Sequence, residues 1–414
     1  MTRIGIVGAG VAGLQLGLLL QKHGISATVY TDRSPDQQRA SRLLNTVGRS
    51  PLTRAREREL GVNHWDTVGN VRAMHLYIHG EQPLAFRGDL AEPWSFVDMR
   101  LYLATLLEDF IARGGDVVVG ALRGEDVAKL GEQHELVVVA SGRGSLIELF
   151  PRVPEHSPYT SPQRLLCAGL YDGIRPIAEG MNFNIAPGHG EIFQAPMYTS
   201  GGLQGALLFE AIPGGAFEVL TRLRYDDDPR RFEATVLDVL REHAPNIYAR
   251  IDPAQFALTR PLDLLQGAIT PTVRRGYIPL GNGRFALAIG DVGVVNDPIT
   301  GQGANLASHS AWVLGHAILE DFAFDERFCQ VVERRIWEQA QSVSEWTNFM
   351  LQPPAPYVID LMVAAAQNQS IANAFANNFA TPQRNWSILA SPERTTAFLR
   401  TFQPSEQEAL LPAL

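Results

Sequence analysis

The sequence predicts an α/β fold built on a parallel sheet, and two glycine-rich turns near opposite ends of the chain carry this prediction. Residues 3–7 form an apolar segment, RIGIV, which is followed by the turn GAGVAG at residues 8–13 and a helical pattern over residues 14–23. The order of apolar strand, glycine turn and helix returns over residues 286–320, from ALAIGD through GQGAN. Ligands of such folds bind at the carboxyl ends of parallel strands, so we expect one extended ligand to use both turns.

The composition is that of a globular protein with a large core. With 414 residues, of which 45% are hydrophobic and 19% charged, the chain is long enough for two lobes or domains. The net charge of -9 argues against a nucleic-acid partner. Cys167 and Cys329 are the only cysteines of the sequence, too few for a disulfide framework, a redox CxxC pair or a zinc site. No metal is expected elsewhere either, because the acidic run 226–228 before Pro229 is typical of a helix start.

The apolar beginning of the chain has some features of a signal peptide. Its segment IGIVGAGVAGLQLGLLL, however, contains five glycines and an internal Gln15, and no small-residue cleavage site follows it. We therefore assign the segment to the mature fold. No other apolar run reaches the roughly 18 residues that a membrane span needs. The sequence thus predicts a soluble, cytoplasmic protein with no membrane partner.

The first turn fits the dinucleotide-binding pattern GxGxxG. Gly8 would allow the tight turn, Gly10 would let a pyrophosphate approach the backbone, and Gly13 would let the helix pack against the strand. The helix would present unpaired N–H groups and the positive end of its dipole to the phosphates. A second strand at residues 26–30, SATVY, completes a βαβ unit, which favours a dinucleotide site over a glycine-rich turn in a core.

The residue that would bind the adenosine ribose is open at this stage. An acidic residue usually ends the second strand of this unit, near the position of Thr31, and here the acid comes one position later, as Asp32. Either Asp32 takes that role after a small shift, or Thr31 and Arg33 hold the ribose.

The second turn is another place suited to an electron-rich group, because Gly301 and Gly303 precede a helical pattern. FAD along the edge of the sheet would place its pyrophosphate at the first helix and its ribityl chain and ring edge at the second. GxGxxG together with GD and DPxxGQGxN resembles the FAD-dependent aromatic hydroxylase fold, a Rossmann-type domain joined to a β-sheet substrate domain and here to a helical tail. That resemblance implies that Asp291 binds the ribityl or pyrophosphate region, and that residues 302–305 point at the flavin pyrimidine.

The same resemblance implies contacts from two arginines. Arg100 lies at the start of a clear helix, where this fold usually carries an arginine or glutamine against FAD, and Arg42 is a further candidate; either could instead form a surface ion pair. The residues predicted to bind FAD are Gly8, Gly10, Ala12, Gly13, Thr31, Asp32, Arg33, Arg42, Leu44, Asn45, Arg100, Asp291, Pro298, Gly301, Gln302, Gly303, Ala304 and Asn305.

Two groups that single-component hydroxylases of this fold usually carry are missing from the sequence. Ser141, in ELVVVASGRGS, stands where those enzymes have the Asp of an Asp-Gly motif associated with FAD and NADPH. Val292 follows Asp291 where a histidine is common. These absences suggest that NAD(P)H does not bind strongly, and that a separate NADH-dependent flavin reductase supplies reduced FAD.

The segments VYTDR, RLLNTV, RYDDDPRRF, NDPITGQGANLAS and WTNF resemble the oxygenase component of two-component styrene monooxygenases, and the resemblance runs through essentially the whole chain. It implies an enzyme that uses reduced FAD and O2 to epoxidise styrene-like vinyl aromatics through a flavin C4a-hydroperoxide. The positions that match the family's pocket are Asn45, Val47, His75 and Ser95, while Arg49 and Arg72 stand where styrene enzymes tend to have His and Tyr.

In such chemistry the cofactor supplies the reactivity and the protein supplies position. Asn45 is the first candidate for hydrogen bonding near the flavin and its oxygen adduct. His75 is a second catalytic candidate, although a structural histidine in the half-buried strand MHLYIH fits the pattern equally well. Strands within residues 163–211 are expected to form the substrate walls. The arginine-rich segment 39–58 is predicted to be a solvated helix face with one or two flavin contacts.

The chain is expected to divide into a discontinuous FAD-binding domain of residues 1–45, 95–155 and 270–325, a substrate domain of residues 46–94 and 156–269, and a helical region of residues 326–414. Three other functions stay open: indole 2,3-epoxidation by the same chemistry, hydroxylation by a self-sufficient NAD(P)H-dependent enzyme, and a non-catalytic binding protein that has lost its flavin. The oligomeric state is also open, with a homodimer as one option.

Overall fold

The computed structural model describes residues 4–142, 144–177, 179–281 and 283–403. Arg3 of the predicted first strand, Arg143 of the ASGRGS segment and residues 404–414 of the predicted helical tail lie outside the described residues. The strands, in chain order, are β1 (Ile4–Val7), β2 (Ala27–Thr31), β3 (Gly48–Arg49), β4 (Asn70–Ile78), β5 (Leu84–Phe96), β6 (Asp116–Val119), β7 (Leu136–Val139), β8 (Leu165–Asp172), β9 (Gly180–Ala186), β10 (Gly190–Thr199), β11 (Gly202–Ala211), β12 (Ala257–Leu258), β13 (Leu264–Ala268), β14 (Thr272–Val273), β15 (Tyr277–Gly281), β16 (Arg284–Ala288) and β17 (Val294–Val295).

Helices cover these strands and form the carboxyl-terminal part of the described chain. They are α1 (Val11–Lys22), α2 (Pro35–Arg39), α3 (Pro51–Leu60), α4 (Met99–Ala112), α5 (Gly124–Gln133), α6 (Ser145–Glu148), α7 (Val219–Arg222), α8 (Pro229–His243), α9 (Pro245–Tyr248), α10 (Gly303–Glu320), α11 (Glu326–Met350), α12 (Pro356–Gln367), α13 (Gln369–Asn378), α14 (Pro382–Leu389) and α15 (Pro392–Arg400). Asp228 caps α8 by accepting a hydrogen bond from Arg231 N, so the acidic run 226–228 does begin a helix.

The first sheet has six strands in the order β15-β16-β7-β1-β2-β6. β16, β7, β1, β2 and β6 are parallel, and β15 joins the edge as an antiparallel strand. β1 and β7 are buried along their whole length, since α1 and α10 cover one face of the sheet and α5 the other. β1 and β16 both pair with β7 in parallel. The carboxyl ends of β1 and β16, which carry the two glycine turns, therefore lie at the same edge of the sheet. The fold class predicted from the sequence is confirmed.

Helix α1 begins at Val11, three residues before the predicted helical pattern. Gly10 is its extended N-cap residue, so the last part of the glycine turn already belongs to the first helical turn. Residues 11–20 are all buried, because α10 and α4 pack on this helix. A Cβ on Gly315 of α10 would lie 2.4 Å from Leu19 Cδ2, which shows how closely the two helices approach.

The second sheet has nine strands, in the order β12-β8-β11-β10-β9-β4-β5-β3, with β13 also paired to β8. Its pairings are antiparallel except that of β4 with β9. One face packs against α8 and α9, and the other faces α12–α14 and the first sheet. The helical carboxyl-terminal region thus covers a sheet face. Asn373 and Asn377 of α13 accept hydrogen bonds from the backbone N–H groups of Asp89 and Ala91 in β5, each at 2.8 Å.

The arginine-rich segment 39–58 differs from its prediction as a solvated helix face. Arg49, Arg54 and Arg56 are 2%, 4% and 8% exposed, because α3 packs between β5 and α10. Protein groups accept hydrogen bonds from some of their guanidinium donors: Arg54 donates to Pro93 O, and Arg56 Nη1 donates to Ser308 Oγ at 3.1 Å. The division into three regions with the boundaries given above stays a prediction. Of the described helices, none combines the length and the apolar character that a bilayer crossing requires.

Candidate active site

A cavity of about 630 Å3 lies where the first sheet meets the second. That volume is typical of cofactor and small-molecule sites, which span about 300–1,000 Å3. Both glycine turns and residues 30–33 line one part of it, which we call the polar end. Side chains of the second sheet line the other part, which we call the apolar end.

The first glycine turn leaves the backbone open to the cavity at one position. Gly8 has a φ of +117°, and a Cβ on it would lie 2.8 Å from the backbone of Ala140. A Cβ on Gly13 would lie 1.9 Å from the carbonyl oxygen of Gly8. Beside Gly10, which lines the cavity, the nearest atom would be Ala140 O at 3.8 Å. Gly8 and Gly13 therefore hold strand and helix together, whereas Gly10 leaves the close approach that a pyrophosphate needs.

The second glycine turn lies directly against the first. Gly290 has a φ of +66°, and a Cβ on it would lie 3.3 Å from the Cβ of Ala12. A Cβ on Gly142 would lie 2.8 Å from the Cβ of Asp291. All four of these residues line the cavity. Two turns that are far apart in the sequence therefore serve one site, as the strand order of the first sheet requires.

Further glycines at the polar end leave room where a side chain would stand. In the described structure, apart from the adjoining main chain, no atom lies within 4 Å of the position that a Cβ would take on Gly144, Gly301 or Gly303, and all three line the cavity. Helix α10 starts at Gly303, so its first unpaired N–H groups lie at the cavity wall. This arrangement fits a dinucleotide such as FAD, whose phosphates and ring edge approach the main chain.

The end of β2 presents the three residues considered for the adenosine ribose. Thr31, Asp32 and Arg33 all line the cavity. The Thr31 hydroxyl donates to Arg33 O at 3.2 Å and accepts from Arg33 N at 3.3 Å, so it is used within the turn. The Asp32 carboxylate is 61% exposed and lies 3.7 Å from Arg33 Nε. Of the two alternatives, the geometry favours Asp32, because its carboxylate keeps more free surface for a ribose hydroxyl.

The segment before α10 divides into residues that face the cavity and residues that support it. The predicted FAD contacts that line the cavity here are Pro298, Gly301, Gly303 and Ala304. Gln302 and Asn305 are not among the lining residues. Gln302 Nε2 donates to the carbonyl oxygens of Thr300 and Phe379 at 3.0 Å each. Asn305 Oδ1 accepts from Ser50 N and Thr53 Oγ1, each at 2.8 Å. Both side-chain amides thus hold the start of α10 in place from the side that faces away from the cavity.

Residues 44–48 form a further wall between the two ends. Leu44, Asn45 and Val47 line the cavity there. The side-chain oxygen of Asn45 accepts a hydrogen bond from Val47 N at 3.3 Å. This bond orients the side-chain amide and does not use its Nδ2, which is a hydrogen-bond donor.

The apolar end is one face of the second sheet. Successive residues of a strand face opposite sides, so alternate side chains of neighbouring strands enter the cavity. Phe183 of β9 and Phe193 of β10 are cross-strand partners whose ring centroids lie 4.4 Å apart. The second-sheet residues that line the cavity are all apolar or glycine: Gly48, Met74, Leu90, Trp94, Phe96, Leu166, Ala168, Met181, Phe183, Phe193, Ala195, Ala206, Leu208 and Leu265.

Arg49 and Ser95, predicted for the substrate pocket, lie behind its wall. They are cross-strand partners next to the pair Gly48 and Phe96, which lines the cavity, so they face the opposite side of the sheet. Arg49 Nη1 lies 2.5 Å from Glu57 Oε2, and Arg49 Nη2 donates to Ser95 Oγ at 2.8 Å. Arg49 therefore forms a buried ion pair rather than a substrate contact.

His75, predicted as a catalytic residue, also faces away from the cavity. It follows Met74 in β4, and Met74 is the residue that lines the cavity. A Cβ on Gly180 would lie 3.2 Å from the imidazole ring, which is packed against that strand. Burial lowers the pKa of His75, and the charges of Arg87 and Arg250 lower it further. The strand predicted around His75 is present. Because side chains alternate between its two faces, the imidazole ring points away from the site.

Two more predicted arginines bind protein groups outside the cavity lining. Arg72, of the predicted substrate pocket, has a side chain that is 51% exposed and lies 3.4 Å from a carboxylate oxygen of Glu179. Arg42, a predicted FAD contact, donates through Nη1 to the carbonyl oxygens of Pro261 at 3.2 Å and Leu264 at 3.0 Å. Neither guanidinium lines the cavity.

Arg100, the other arginine predicted to contact FAD, is at the start of α4 as expected. It is buried between two carboxylates, with Nη2 at 2.5 Å from Asp98 Oδ2 and Nη1 at 2.6 Å from Asp263 Oδ1. Of the two alternatives considered for Arg100, the structure places it in an ion pair, and that pair is internal rather than at the surface.

Several parts of the cavity wall were not predicted from the sequence. Residues 120–122 follow β6, whose carboxyl end lies beside that of β2; the position of β6 in the sheet was the missing signal. Ser141, Gly142 and Gly144 line the cavity although their segment was noted only for its missing acid. Phe379, just after α13, also lines it, and nothing in an amphipathic helix pattern distinguishes such a residue from an ordinary core phenylalanine.

Comparison with known proteins extends these observations. The family model described as "Styrene monooxygenase A putative substrate binding domain" matches residues 142–250. Styrene monooxygenase StyA of Pseudomonas fluorescens and that of a Pseudomonas species are each 41% identical to this chain over 410 residues, covering 97% of this chain and 99% of theirs.

Solved structures with the same fold are more distant. The tetrameric form of 2-methyl-3-hydroxypyridine-5-carboxylic acid oxygenase has a TM-score of 0.63 at 16% identity, covering 93% of this chain and 99% of its own. The myxobacterial chondrochloren halogenase CndH, described as a variant of FAD-dependent halogenases, has a TM-score of 0.63 at 15% identity, covering 98% of both chains. These structures establish the shared fold, and the near relatives establish the family. The chain belongs to the styrene monooxygenase family of FAD-dependent monooxygenases, as its sequence motifs predicted.

Proposed function

We propose that this protein uses reduced FAD from a separate NADH-dependent flavin reductase, together with O2, to epoxidise styrene-like vinyl aromatics. The observation that carries the proposal is the continuity of the cavity, whose polar end suits a dinucleotide and whose apolar end suits an aromatic hydrocarbon. Bound reduced FAD supplies, with O2, the electrophilic oxygen atom. The contribution of the chain is to bind, to orient and to exclude water.

Cofactor binding falls to the polar end. Gly10, Gly301 and Gly303 open the main chain to phosphate and ring edge, and Asp32 has an exposed carboxylate for a ribose hydroxyl. Asp291 lines the cavity beside Gly142 and is the candidate for the ribityl or pyrophosphate region. The positive end of the α10 dipole would stabilise negative charge on the ring edge next to it.

Substrate binding falls to the apolar end. A vinyl aromatic would be held by dispersion and by release of water from the faces of Phe183 and Phe193 and from neighbouring aliphatic side chains. The same surface keeps water out of the reacting part of the cavity, which prevents loss of the activated oxygen as H2O2. Asn45 lies between the two ends, and its Nδ2 is our candidate donor towards the cofactor and its oxygen.

The second-sheet wall of the apolar end favours styrene over indole. An indole N–H group that leaves water needs an acceptor, and an unpaired buried donor costs about 1–3 kcal/mol. The second-sheet residues of the cavity wall are apolar or glycine and offer no side-chain acceptor among the described residues. Arg49 and Arg72, the two departures from the styrene-type pattern, do not line the cavity and so give no reason to prefer indole.

A single-turnover assay tests the proposal. The chain is mixed anaerobically with chemically reduced FAD, and O2 and styrene are then added without NADH. One oxygen atom should enter the vinyl group and the other should leave as water while the reduced FAD is oxidised, so styrene oxide should form. A parallel reaction with NADH and oxidised FAD should give no product until a flavin reductase is added.

Each outcome of this assay separates the alternatives. Formation of H2O2 without styrene oxide in the first reaction would exclude epoxidation and favour a binding protein. Rapid NADH oxidation and product formation by the isolated chain would instead exclude the need for a reductase. Competition between styrene and indole in the first reaction should favour styrene oxide.

A further inference from the structure

A buried charged cluster lies at the edge of the apolar end and has no part in the function proposed above. It consists of Arg164, Glu191, Glu210 and Asp297, which are between 0% and 6% exposed. Three potential anions and one cation thus share a buried region. Such a group is stable only if its charges are paired or if one carboxyl group keeps its proton.

The sheet register places the carboxyl groups on the cavity side of the wall. Glu210 of β11 is two residues after Leu208, which lines the cavity, so both side chains lie on the same face. Glu191 of β10 is two residues before Phe193, which also lines it. Glu191 and Glu210 are direct cross-strand partners. Two ionised carboxylates in that relation repel each other.

The cation of the cluster is already used by one of these acids. Arg164 Nε lies 2.7 Å from one carboxylate oxygen of Glu191, and its Nη2 lies 3.0 Å from the other. This paired geometry is the strong form of an arginine–carboxylate interaction. Arg164 Nη1 donates to the backbone oxygens of Gln163 and Leu351. Glu210 therefore requires a partner other than Arg164.

The partner of Glu210 is the carboxyl group of Asp297. In the described part of the chain, no N–H or hydroxyl group donates to either carboxyl oxygen of Glu210 or to Oδ2 of Asp297. Glu210 and Asp297 are neighbours, and each influences the pKa of the other. Asp297 Oδ1 accepts from Ile299 N at 3.1 Å and so caps the turn Pro298–Thr300. Two neighbouring carboxyl groups that are buried without another donor are stable only if one of them keeps its proton.

We propose that Glu210 keeps its proton and donates it in a hydrogen bond to the carboxylate of Asp297, and that this acid pair positions residues 296–301 against the second sheet. Residues 296 and 298–301 line the cavity at the boundary between its polar and apolar ends. Glu210 is thus a positioning residue, which acts through Asp297 on the segment that would border the flavin.

Ionisation of Glu210 should weaken the contact between residues 296–301 and the second sheet. Burial raises the pKa of Glu210 well above its ordinary value, and the charges of Asp297 and Glu191 raise it further while Arg164 opposes them. Burial also raises the pKa of Asp297, to about 6. In alkaline solution Glu210 would ionise, the two carboxylates would repel, and residues 296–301 would move from the sheet and admit water. Because the unfolded chain releases this proton at lower pH, the stability that the proton confers is present in acid and is lost as pH rises.

Infrared spectroscopy of the unliganded chain tests the proton directly. A protonated carboxylic acid has a carbonyl stretching band that carboxylates lack, and the wild-type chain should show it at neutral pH. Glu210→Gln should remove the band, whereas Glu242→Gln, at a side chain that is 77% exposed, should leave it unchanged. A wild-type spectrum without the band, or a band that persists in Glu210→Gln, would overturn the proposal. This measurement needs neither flavin nor substrate, so it stands even if the proposed function fails.

The fraction of reduced FAD used for epoxidation rather than for H2O2 tests the positioning, and this readout rests on the proposed function. In the wild type the fraction should fall several-fold in alkaline solution. Glu210→Gln keeps a neutral donor, so its fraction should stay close to the neutral-pH value throughout, while Glu210→Ala lacks the donor and should be low at every pH. Asp297→Asn removes the other charge and should also reduce the alkaline loss of this fraction. It provides a second test if Glu210→Gln does not fold. An unchanged alkaline loss in these amide variants would contradict the role.

Discussion

The polar and apolar ends of the cavity are built in opposite ways. At the polar end much of the wall is main chain, and glycine is required because a Cβ would either strike neighbouring backbone, as at Gly8, or fill the space of the ligand, as at Gly10. At the apolar end the wall is one face of a sheet, where many apolar side chains of similar volume would serve. Cofactor binding therefore depends on a few fixed positions, while substrate preference can change without loss of the fold.

The sharpest test of the polar end compares two glycines of the same turn. Gly13→Ala places a Cβ 1.9 Å from Gly8 O, so it should lower the free energy of unfolding by more than about 4 kcal/mol or abolish folding. Gly10→Ala has open space and should change stability by less than about 1 kcal/mol. It should nevertheless weaken FAD binding about tenfold, or about 1.4 kcal/mol, because the methyl group takes the space of the pyrophosphate. Thermal denaturation and flavin titration measure the two effects, and equal stability of both variants would refute the distinction.

Arg49 separates a residue that supports the apolar wall from one that touches substrate. Arg49→Met leaves Glu57 buried without its cation, and loss of one partner of a buried pair costs about 3–5 kcal/mol. Adding Glu57→Gln should restore part of that loss. Urea denaturation of the single and double variants measures the coupling. A stable Arg49→Met variant with altered substrate preference would instead indicate that Arg49 contacts the substrate.

Leu208 tests the independence of the two ends. Leu208→Trp fills the apolar end, so KM for styrene should rise about tenfold, which corresponds to about 1.4 kcal/mol of lost substrate binding. FAD affinity should stay the same, because the polar end is untouched. Leu203→Trp on the same strand is the matched control, since Leu203 is 52% exposed and should change neither quantity. A joint loss of styrene and FAD binding in Leu208→Trp would argue against separate ends.

The smallest effect is expected at Arg72, which the sequence singles out and the structure places at the surface. Arg72→Tyr removes an exposed ion pair with Glu179 and should change the free energy of unfolding by less than about 0.5 kcal/mol. The ratio of kcat/KM for styrene to that for indole should also stay constant. A large change in this ratio would mean that Arg72 reaches the substrate during turnover.

The same contrast explains what the sequence could predict. The roles of Gly8, Gly10 and Gly13 can be predicted from the sequence, because the backbone geometry at these positions requires glycine and the three residues are close together in the chain. His75 and Arg49 were misplaced because a shift of one residue along a strand moves a side chain to the other face, and the sequence pattern did not show which face of β3 or β4 meets the cavity. Asp297 belongs to a recognised motif, yet its partner on β11 is distant in the chain and only the fold brings it near.

The most direct test of one cavity with two functions is a crystal structure of the chain with FAD and an unreactive styrene analogue. We expect the pyrophosphate beside Gly10 and the flavin ring beside residues 298–301, with the analogue against Phe183 and Phe193. An analogue bound outside the second-sheet face, or FAD whose phosphates lie away from both glycine turns, would contradict it.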